Sequence, residues 1–255
     1  MQIHLVGALH NDPQGYVRTK RALNKFQPDI VGVEWAGDEY DRFTQSTEIK
    51  QLQAKMEKAI KAVFARLGLD PSLYERANKI SAQNSNSEVM AAREYAFNSD
   101  LLLMPTESAE LKIEMKRNQL HNVDDACQQY HDWLTHLTES GEKYDPETIT
   151  SFDPREYDYF EAHLAGQMPQ EDVRQWLNDG YIPDAINEPR VRYQVEQIRE
   201  GIELLYEGEV LVHVGGLAHL IDDGLAETAR GPINLWQHLV NQFRERVLRH
   251  SLRAV

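Results

Sequence analysis

Four short apolar runs, Ile3 to Leu9, Asp29 to Glu34, Leu101 to Met104 and Val210 to Gly216, interrupt an otherwise polar, helix-patterned chain and constrain its fold more than any other feature. They are β-branched or leucine-rich and do not alternate strictly, which is the pattern of strands covered on both faces. The first two are joined by Tyr16 to Phe26, which sets Tyr16, Ala22, Leu23 and Phe26 near one helical face before Gln27-Pro28-Asp29 stops it. Strand, helix, strand in this order predicts a βαβ unit with a parallel pair, since parallel strands need a crossover connection. The expected fold class is α/β, with a mainly parallel central sheet flanked by helices. At 255 residues the chain is read as a single domain, 1–255, with one insertion.

The intervening segments read as helices. Glu48 to Leu67 is rich in helix formers and ends at Gly68 and Asp70-Pro71, and Glu88 to Phe97 follows Ser87, a plausible N-cap. Residues 108–178 hold no convincing strand but much helical pattern, broken at Gly141, at Asp145-Pro146 and at Gly166 to Pro169. They are read as a helical insertion or cap. The last segment, Asn234 to Arg253, is amphipathic and ends in Arg244, Arg246, Arg249 and Arg253, cations that suit the negative end of a helix dipole. A docked terminal helix is expected, with weak contact to a membrane surface as the alternative.

Composition excludes several classes of partner. A formal net charge of -14 and a pI near 5.1 oppose binding to a phosphate backbone, where affinity comes from lysine and arginine displacing counterions. Nucleic acid is not expected. The single cysteine, Cys127, rules out an intrachain disulfide framework. The start, Met1-Gln2-Ile3-His4-Leu5-Val6, reads directly as a strand, and no run approaches the roughly 20 apolar residues that span a bilayer. A cytoplasmic location is the expectation.

One echo points to chemistry. Gly7-Ala8-Leu9-His10 follows the first apolar strand and Gly216-Leu217-Ala218-His219 follows the last, both reading Gly-x-x-His. Glycine there permits a tight turn or a close approach, so Gly7 and Gly216 are read as turn glycines that set a histidine at a strand's carboxyl end. In open α/β sheets that edge is where ligands bind. Glu34 ends the second strand, and Thr106 and Glu107 end the third. Two imidazoles and a carboxylate, His10, His219 and Glu34, are competent ligands for a divalent metal, and equally competent acids and bases without one. Glu88, at a helix start, suits the dipole. Arg190 is read as the start of a helix Arg190 to Tyr206, where a cation is unfavourable, which leaves two readings, a binder of an acid or substrate and a solvated surface arginine. His131 and His136 are five apart and do not stack as a metal pair, and His4 and His213 fall inside strands, where structural roles are expected.

These motifs resemble the TraB/PrgY family of pheromone-shutdown proteins, related to the Tiki proteases and more distantly to the erythromycin esterase (EreA) and ChaN-like group. The resemblance rests on Gly7-Ala8-Leu9-His10, on Pro28-Asp29-Ile30-Val31-Gly32-Val33-Glu34, on Glu88 and the alanine-rich helix leading to Leu101 to Met104, on the Arg190-led helix and on Gly216-Leu217-Ala218-His219. The chain departs from the family pattern where Pro105-Thr106-Glu107 replaces an aspartate-arginine pair, and where Pro189 separates Glu188 from Arg190. What the resemblance implies is a metal-dependent peptidase or related hydrolase acting on a peptide or small acyl substrate. His10, Glu34 and His219 would hold Mn, Co or Zn, and Glu88, Glu34 and Arg190 would serve catalysis. The rival expectation is a non-catalytic module that holds a peptide, metal or haem in the same crevice, and a homo-oligomer is compatible with either.

Overall fold

The computed structural model describes residues 1–141, 155–168, 184–221 and 235–255. They divide into two compact units, one of Met1–Trp35, Asn86–Ser108 and Asp153–Val255, the other of Ala36–Ser85 and Ala109–Phe152. The first contains a five-stranded, all-parallel sheet of β1 (Gln2–Ala8), β2 (Ile30–Val33), β3 (Leu102–Pro105), β4 (Val210–Gly216) and β5 (Val247–Ser251), in the order β3-β2-β4-β1-β5. The protein is therefore α/β. Sequence reading placed four of these strands.

Two expectations change. The predicted βαβ pair is not adjacent, because β4 lies between β1 and β2, pairing Leu211 with both Ile3 and Ile30. The predicted terminal helix is shorter: α10 (Leu235–Phe243) gives way to a 3-10 turn at Arg244–Arg246, with Arg244 at φ 50, and the chain then enters β5 beside β1. Asn234, where sequence reading began that helix, lies outside the described residues. Two of the arginines read as the basic end of that helix, Arg249 and Arg253, do other work. Arg249 donates to the Leu220 carbonyl at 2.7 Å and stacks over Trp236, and Arg253 pairs with Asp158 and Glu161. The basic helix on which membrane-surface contact depended is absent, since α10 itself carries no arginine. Among the described residues, no helix is long and apolar enough to cross a membrane.

Both sheet faces are covered, which is why the strands read as continuous apolar runs. His4 of β1 stacks on Phe26 at the end of α1 (Gly15–Phe26), and α1 packs with α5 (Ser87–Asn98) on that face. Ile3 and Leu211 point to the opposite face, where Leu211 meets Gly201 of α9 (Asp184–Glu203). α9 packs with α10 there. The helix α8 (Arg155–Leu164), inside the stretch set apart at 108–178, belongs with the sheet, burying Tyr157 and Phe160 one turn apart.

The second unit is helical: α2 (Gly37–Thr44), α3 (Thr47–Arg66), α4 (Ser72–Asn84), α6 (Ala109–His121) and α7 (Val123–Ser140). Its core is built from the inward stripe of α3, Ile49, Met56, Ile60, Val63 and Phe64, against Leu73, Tyr74, Leu120 and Leu134. Ser46 caps α3 by accepting the Ile49 N–H, and Gly68 and Gly141 lie in the left-handed region just past α3 and α7. Cys127 and His131 sit on α7 in this unit, His131 beside Asp132 at 3.3 Å. The break expected at Asp145-Pro146 lies outside the described residues, as does Pro169.

Candidate active site at the carboxyl edge of the sheet

The five candidate residues His10, Glu34, Glu88, Arg190 and His219 come together in the sheet unit, just beyond the carboxyl ends of β1, β2 and β4. Each strand delivers one. β1 ends at Ala8 and the chain turns, the Leu9 carbonyl accepting the Asp12 N–H at 3.0 Å, so that His10 stands at the corner. β2 ends at Val33, and the Glu34 N–H continues the ladder to the Val214 carbonyl at 3.1 Å. β4 runs into a 3-10 turn, Leu217–Leu220, that carries His219.

Gly7 and Gly216 are not turn residues. Both lie inside strands, and neither has a positive φ. They are there for close approach. A Cβ on Gly7 would meet Leu217 at 2.9 Å and Phe160 at 3.0 Å, and one on Gly216 would lie 3.1 Å from His10 Nε2, 3.3 Å from Glu34 Oε2 and 3.5 Å from His219 Cδ2. The absent side chain of Gly216 is the space in which the two imidazoles and the carboxylate meet.

Glu34 is the hub. Its Oε2 accepts the Gly216 N–H at 2.6 Å, its Oε1 accepts Arg190 Nη2 at 2.8 Å, and His219 Nε2 lies 3.3 Å from Oε1 while His10 Nε2 lies 3.8 Å from Oε2. Burial alone would push this carboxyl up, but His219, His10 and Arg190 together hold it well below the usual carboxylate range. Glu34 is thus an anion poised among three groups that favour its charge.

His10 is fixed from behind. Its Nδ1 lies 2.6 Å from Oε1 of the buried Glu88, and since an ionised carboxylate only accepts, Nδ1 is the donor of that bond and Nε2 faces Glu34. Half of the His10 side chain is exposed, so a small ligand can reach it. Glu88 gets there because α1 and α5 begin side by side: a Cβ on Gly15 would collide with Ser87 Oγ at 2.3 Å. Ser87 is the first residue of α5 and not its cap, a place taken by Asn86 at φ 61, and its hydroxyl turns to Glu88 Oε2 at 3.4 Å.

Arg190 lies within α9, whose start at Asp184 is six residues before the start read from sequence, so the helix dipole does not bear on it. It is 4 % exposed and faces carboxylates. Its Nε and Nη2 form a fork on Glu107 at 3.1 and 2.5 Å, and Nη2 also reaches Glu34. Gln194, one turn on, adds a third donor to Glu107 at 3.0 Å. Sequence reading noticed Glu107 at the end of the third strand without giving it a part; the signal was its place beside β2, where the Glu107 N–H bonds the Trp35 carbonyl at 3.1 Å.

Among the described residues, Glu34, Glu107 and His219 bring ligand atoms within 4.8 Å of one another, a group that could hold a metal ion. Both carboxylates of this group already accept hydrogen bonds, Glu107 from Arg190 and Gln194 and Glu34 from Arg190 and the Gly216 N–H, so an ion would share them with those donors. His10 stands beside the group and not in it, its Nε2 3.8 Å from Glu34 Oε2.

Beneath Glu34 lies His213, inside β4 as its position suggested. Its ring is laid across two glycines: a Cβ on Gly215 would be 2.8 Å from Nε2, and one on Gly32 would be 3.2 Å from Nδ1. Burial drives its pKa down to about 4, with Glu34 opposing and His219 adding to the fall. Because this folded value lies below the unfolded one of ~6.5, stability is complete above pH ~6.5 and is lost as pH falls toward the folded value. The full loss from this residue is about 3 kcal/mol. Unfolding midpoints measured from pH 7 to 4 should fall steeply in the wild type and less in His213→Leu; parallel slopes in the two proteins would contradict the assignment. The half-buried His250, also lowered to about 4, supplies a residual slope common to both.

A comparison of the chain with known protein families, with curated proteins and with solved structures finds no match in any of the three.

Proposed function

We propose that this chain is a metal-dependent hydrolase of the TraB/PrgY type, acting on a peptide or another acyl substrate at the crevice around Gly216. The observation that carries the reading is the cluster of Glu34, Glu107 and His219, whose ligand atoms lie within 4.8 Å of one another, with His10 Nε2 3.8 Å from Glu34. A divalent cation there would add compensation for carboxylates that are buried.

His10, His219 and Glu34 would hold Mn, Co or Zn, which when bound supplies a Lewis acid and lowers the pKa of a bound water to ~7. Glu88 holds the His10 tautomer, the Gly216 N–H holds Glu34 Oε2, and Arg190 spaces Glu34 from Glu107. With Nε and Nη2 spent on carboxylates, Arg190 acts here as a positioning residue and is not assigned to the substrate. The same geometry serves a binder without turnover, and hydrolysis is what separates the two.

The test is calorimetric titration of purified protein with Mn, Co and Zn. One ion is expected per chain, with affinity reduced at least ~100-fold in His10→Ala and in His219→Ala and falling on acidification, because a protonated imidazole has no lone pair for the metal. Circular dichroism should be unchanged in both variants, since the sheet rests on the apolar residues of its strands and not on these imidazoles. Unchanged affinity in both would remove the metal from the proposal. Binding without cleavage of peptide or ester substrates would leave the regulatory module.

A further inference from the structure

Two residues outside the set described so far, Asp12 and Tyr157, converge on the loop that carries His10. We propose that Tyr157 and Asp12 form a buried lock that positions the His10 imidazole. The inference rests on the reading of His10 as a working residue of the site, but not on the presence of a metal.

The lock grips the loop on both sides of His10. Before it, the Leu9 N–H donates to Tyr157 Oη at 3.2 Å; after it, the Tyr157 hydroxyl donates to Asp12 Oδ2 at 3.0 Å. Asp12 Oδ1 accepts the Gln14 N–H at 2.8 Å and Arg18 pairs with Oδ2 at 2.6 Å, so the carboxylate is satisfied at each oxygen. With the Asp12 N–H bonded to the Leu9 carbonyl, the four residues Leu9 to Asp12 form a turn tied across its mouth by one phenol. The ring is itself held, with the guanidinium groups of Arg18 and Arg253 each 5.5 Å from its centroid and Arg253 anchored on Glu161. Burial, against the Leu9 N–H and aided by Asp12, holds the phenol above its ordinary pKa, so it remains a donor.

Asp12 and Tyr157 are both 0 % exposed. An apolar pair would fill that space without the cost of removing a carboxylate, a guanidinium and a hydroxyl from water, so core packing does not account for the choice. A fully satisfied polar network does something packing does not: it admits one arrangement. Here the fixed arrangement is that of the turn from which His10 reaches Glu88. A half-exposed side chain on a six-residue loop between β1 and α1 would otherwise sample many rotamers, and the 2.6 Å contact between Nδ1 and Glu88 requires one of them. This contact is not legible in the sequence, because Tyr157 lies 148 residues beyond Leu9.

The experiment is NMR of the His10 and His219 imidazoles in Tyr157→Phe and Asp12→Asn, alongside thermal unfolding. In the wild type the His10 Nδ1 proton, deshielded by its hydrogen bond to Glu88, should give a resolved downfield signal. Tyr157→Phe removes one oxygen and keeps the ring; solvent exchange of that proton should accelerate at least tenfold, while the His219 signals and the methyl spectrum stay put. Metal affinity, where the wild type binds metal, should drop about tenfold in the same variant. A His10 signal unchanged in Tyr157→Phe would overturn the lock, and so would equal disturbance of His10 and His219, which marks a structural role only. Should Asp12→Asn fail to fold, Tyr157→Phe decides alone. Absence of metal binding in the wild type would defeat the proposed function while leaving the exchange measurement to decide the lock.

Discussion

Replacing Arg190 with methionine is expected to destabilise the sheet unit by about 3–5 kcal/mol, the usual effect of leaving a buried charge without its partner. The long apolar stem is preserved in methionine, so little packing is lost. What disappears is the fork on Glu107, at 3.1 and 2.5 Å, and the bond to Glu34 at 2.8 Å. Two buried carboxylates then face each other without the guanidinium between them, Glu107 keeping the Gln194 donor and Glu34 the Gly216 N–H and the nearby imidazoles. At roughly 2–4 °C per kcal/mol for a domain of this size, the midpoint of thermal unfolding should fall by about 10 °C. Arg190→Lys should recover only part of this, because an ammonium is a point donor and does not reproduce the planar fork. Adding Glu107→Leu to Arg190→Met should recover more than lysine does, since it removes one of the orphaned charges. A methionine variant within about 1 kcal/mol of the wild type, close to what a surface substitution does, would mean that the guanidinium is not the counter-charge of the site.

How much of this was legible beforehand follows from where the information lies. Ile3, Leu5, Val31, Val33, Leu211 and Val214 are buried on both sheet faces and so read as strands without alternation. His10, Glu34 and His219 were legible because each directly follows such a run, and the sheet's edge gathers whatever its strands deliver. β5 was not legible. Its Leu248, Arg249 and His250 are partly exposed at the sheet's edge, where charge discourages pairing with other chains, and mixed with Val247 they imitate the solvated and buried faces of a helix. The break is made by Arg244 at φ 50, and arginine is not a residue that announces a left-handed conformation.

Non-local facts were hidden for a different reason. Nothing in Val210–Gly216 says that it inserts between β1 and β2, since its register is set by partners about 180 to 208 residues away. The fork of Arg190 on Glu107 spans 83 residues in the same way. Glycine was ambiguous in type: a turn and a close approach both call for it, and only the backbone angle at Gly7 and Gly216 separates them. Composition fixed the negative charge of the chain but not its distribution, and the burial of Glu34, Glu88 and Glu107 is a property of the fold.

That distinction yields the sharpest test of the site, the replacement of Gly216 with alanine. The new methyl would sit 3.1 Å from His10 Nε2, 3.3 Å from Glu34 Oε2 and 3.5 Å from His219 Cδ2, inside the volume where the proposed ligands converge. Backbone strain is not involved, because Gly216 is in an extended strand and its φ is not positive. The half-exposed His10 is the neighbour free to yield, and by turning away it surrenders either Nε2 from the cluster or Nδ1 from Glu88. Metal affinity should therefore fall by roughly 100-fold, the upper range for changes that misorient a ligand without removing it. Stability should change far less, by about 1–3 kcal/mol for one added methyl in a tight space. Gly7→Ala is the matched control, since its methyl meets Leu217 and Phe160 and no proposed ligand. It should lower stability by a similar amount and leave affinity within about threefold of the wild type, a difference of less than 1 kcal/mol. Calorimetric titration and thermal unfolding of the two alanine variants side by side give the answer. Equal losses of affinity in both would show that metal binding, if present, responds to general loosening of the sheet edge and not to the space left open at Gly216.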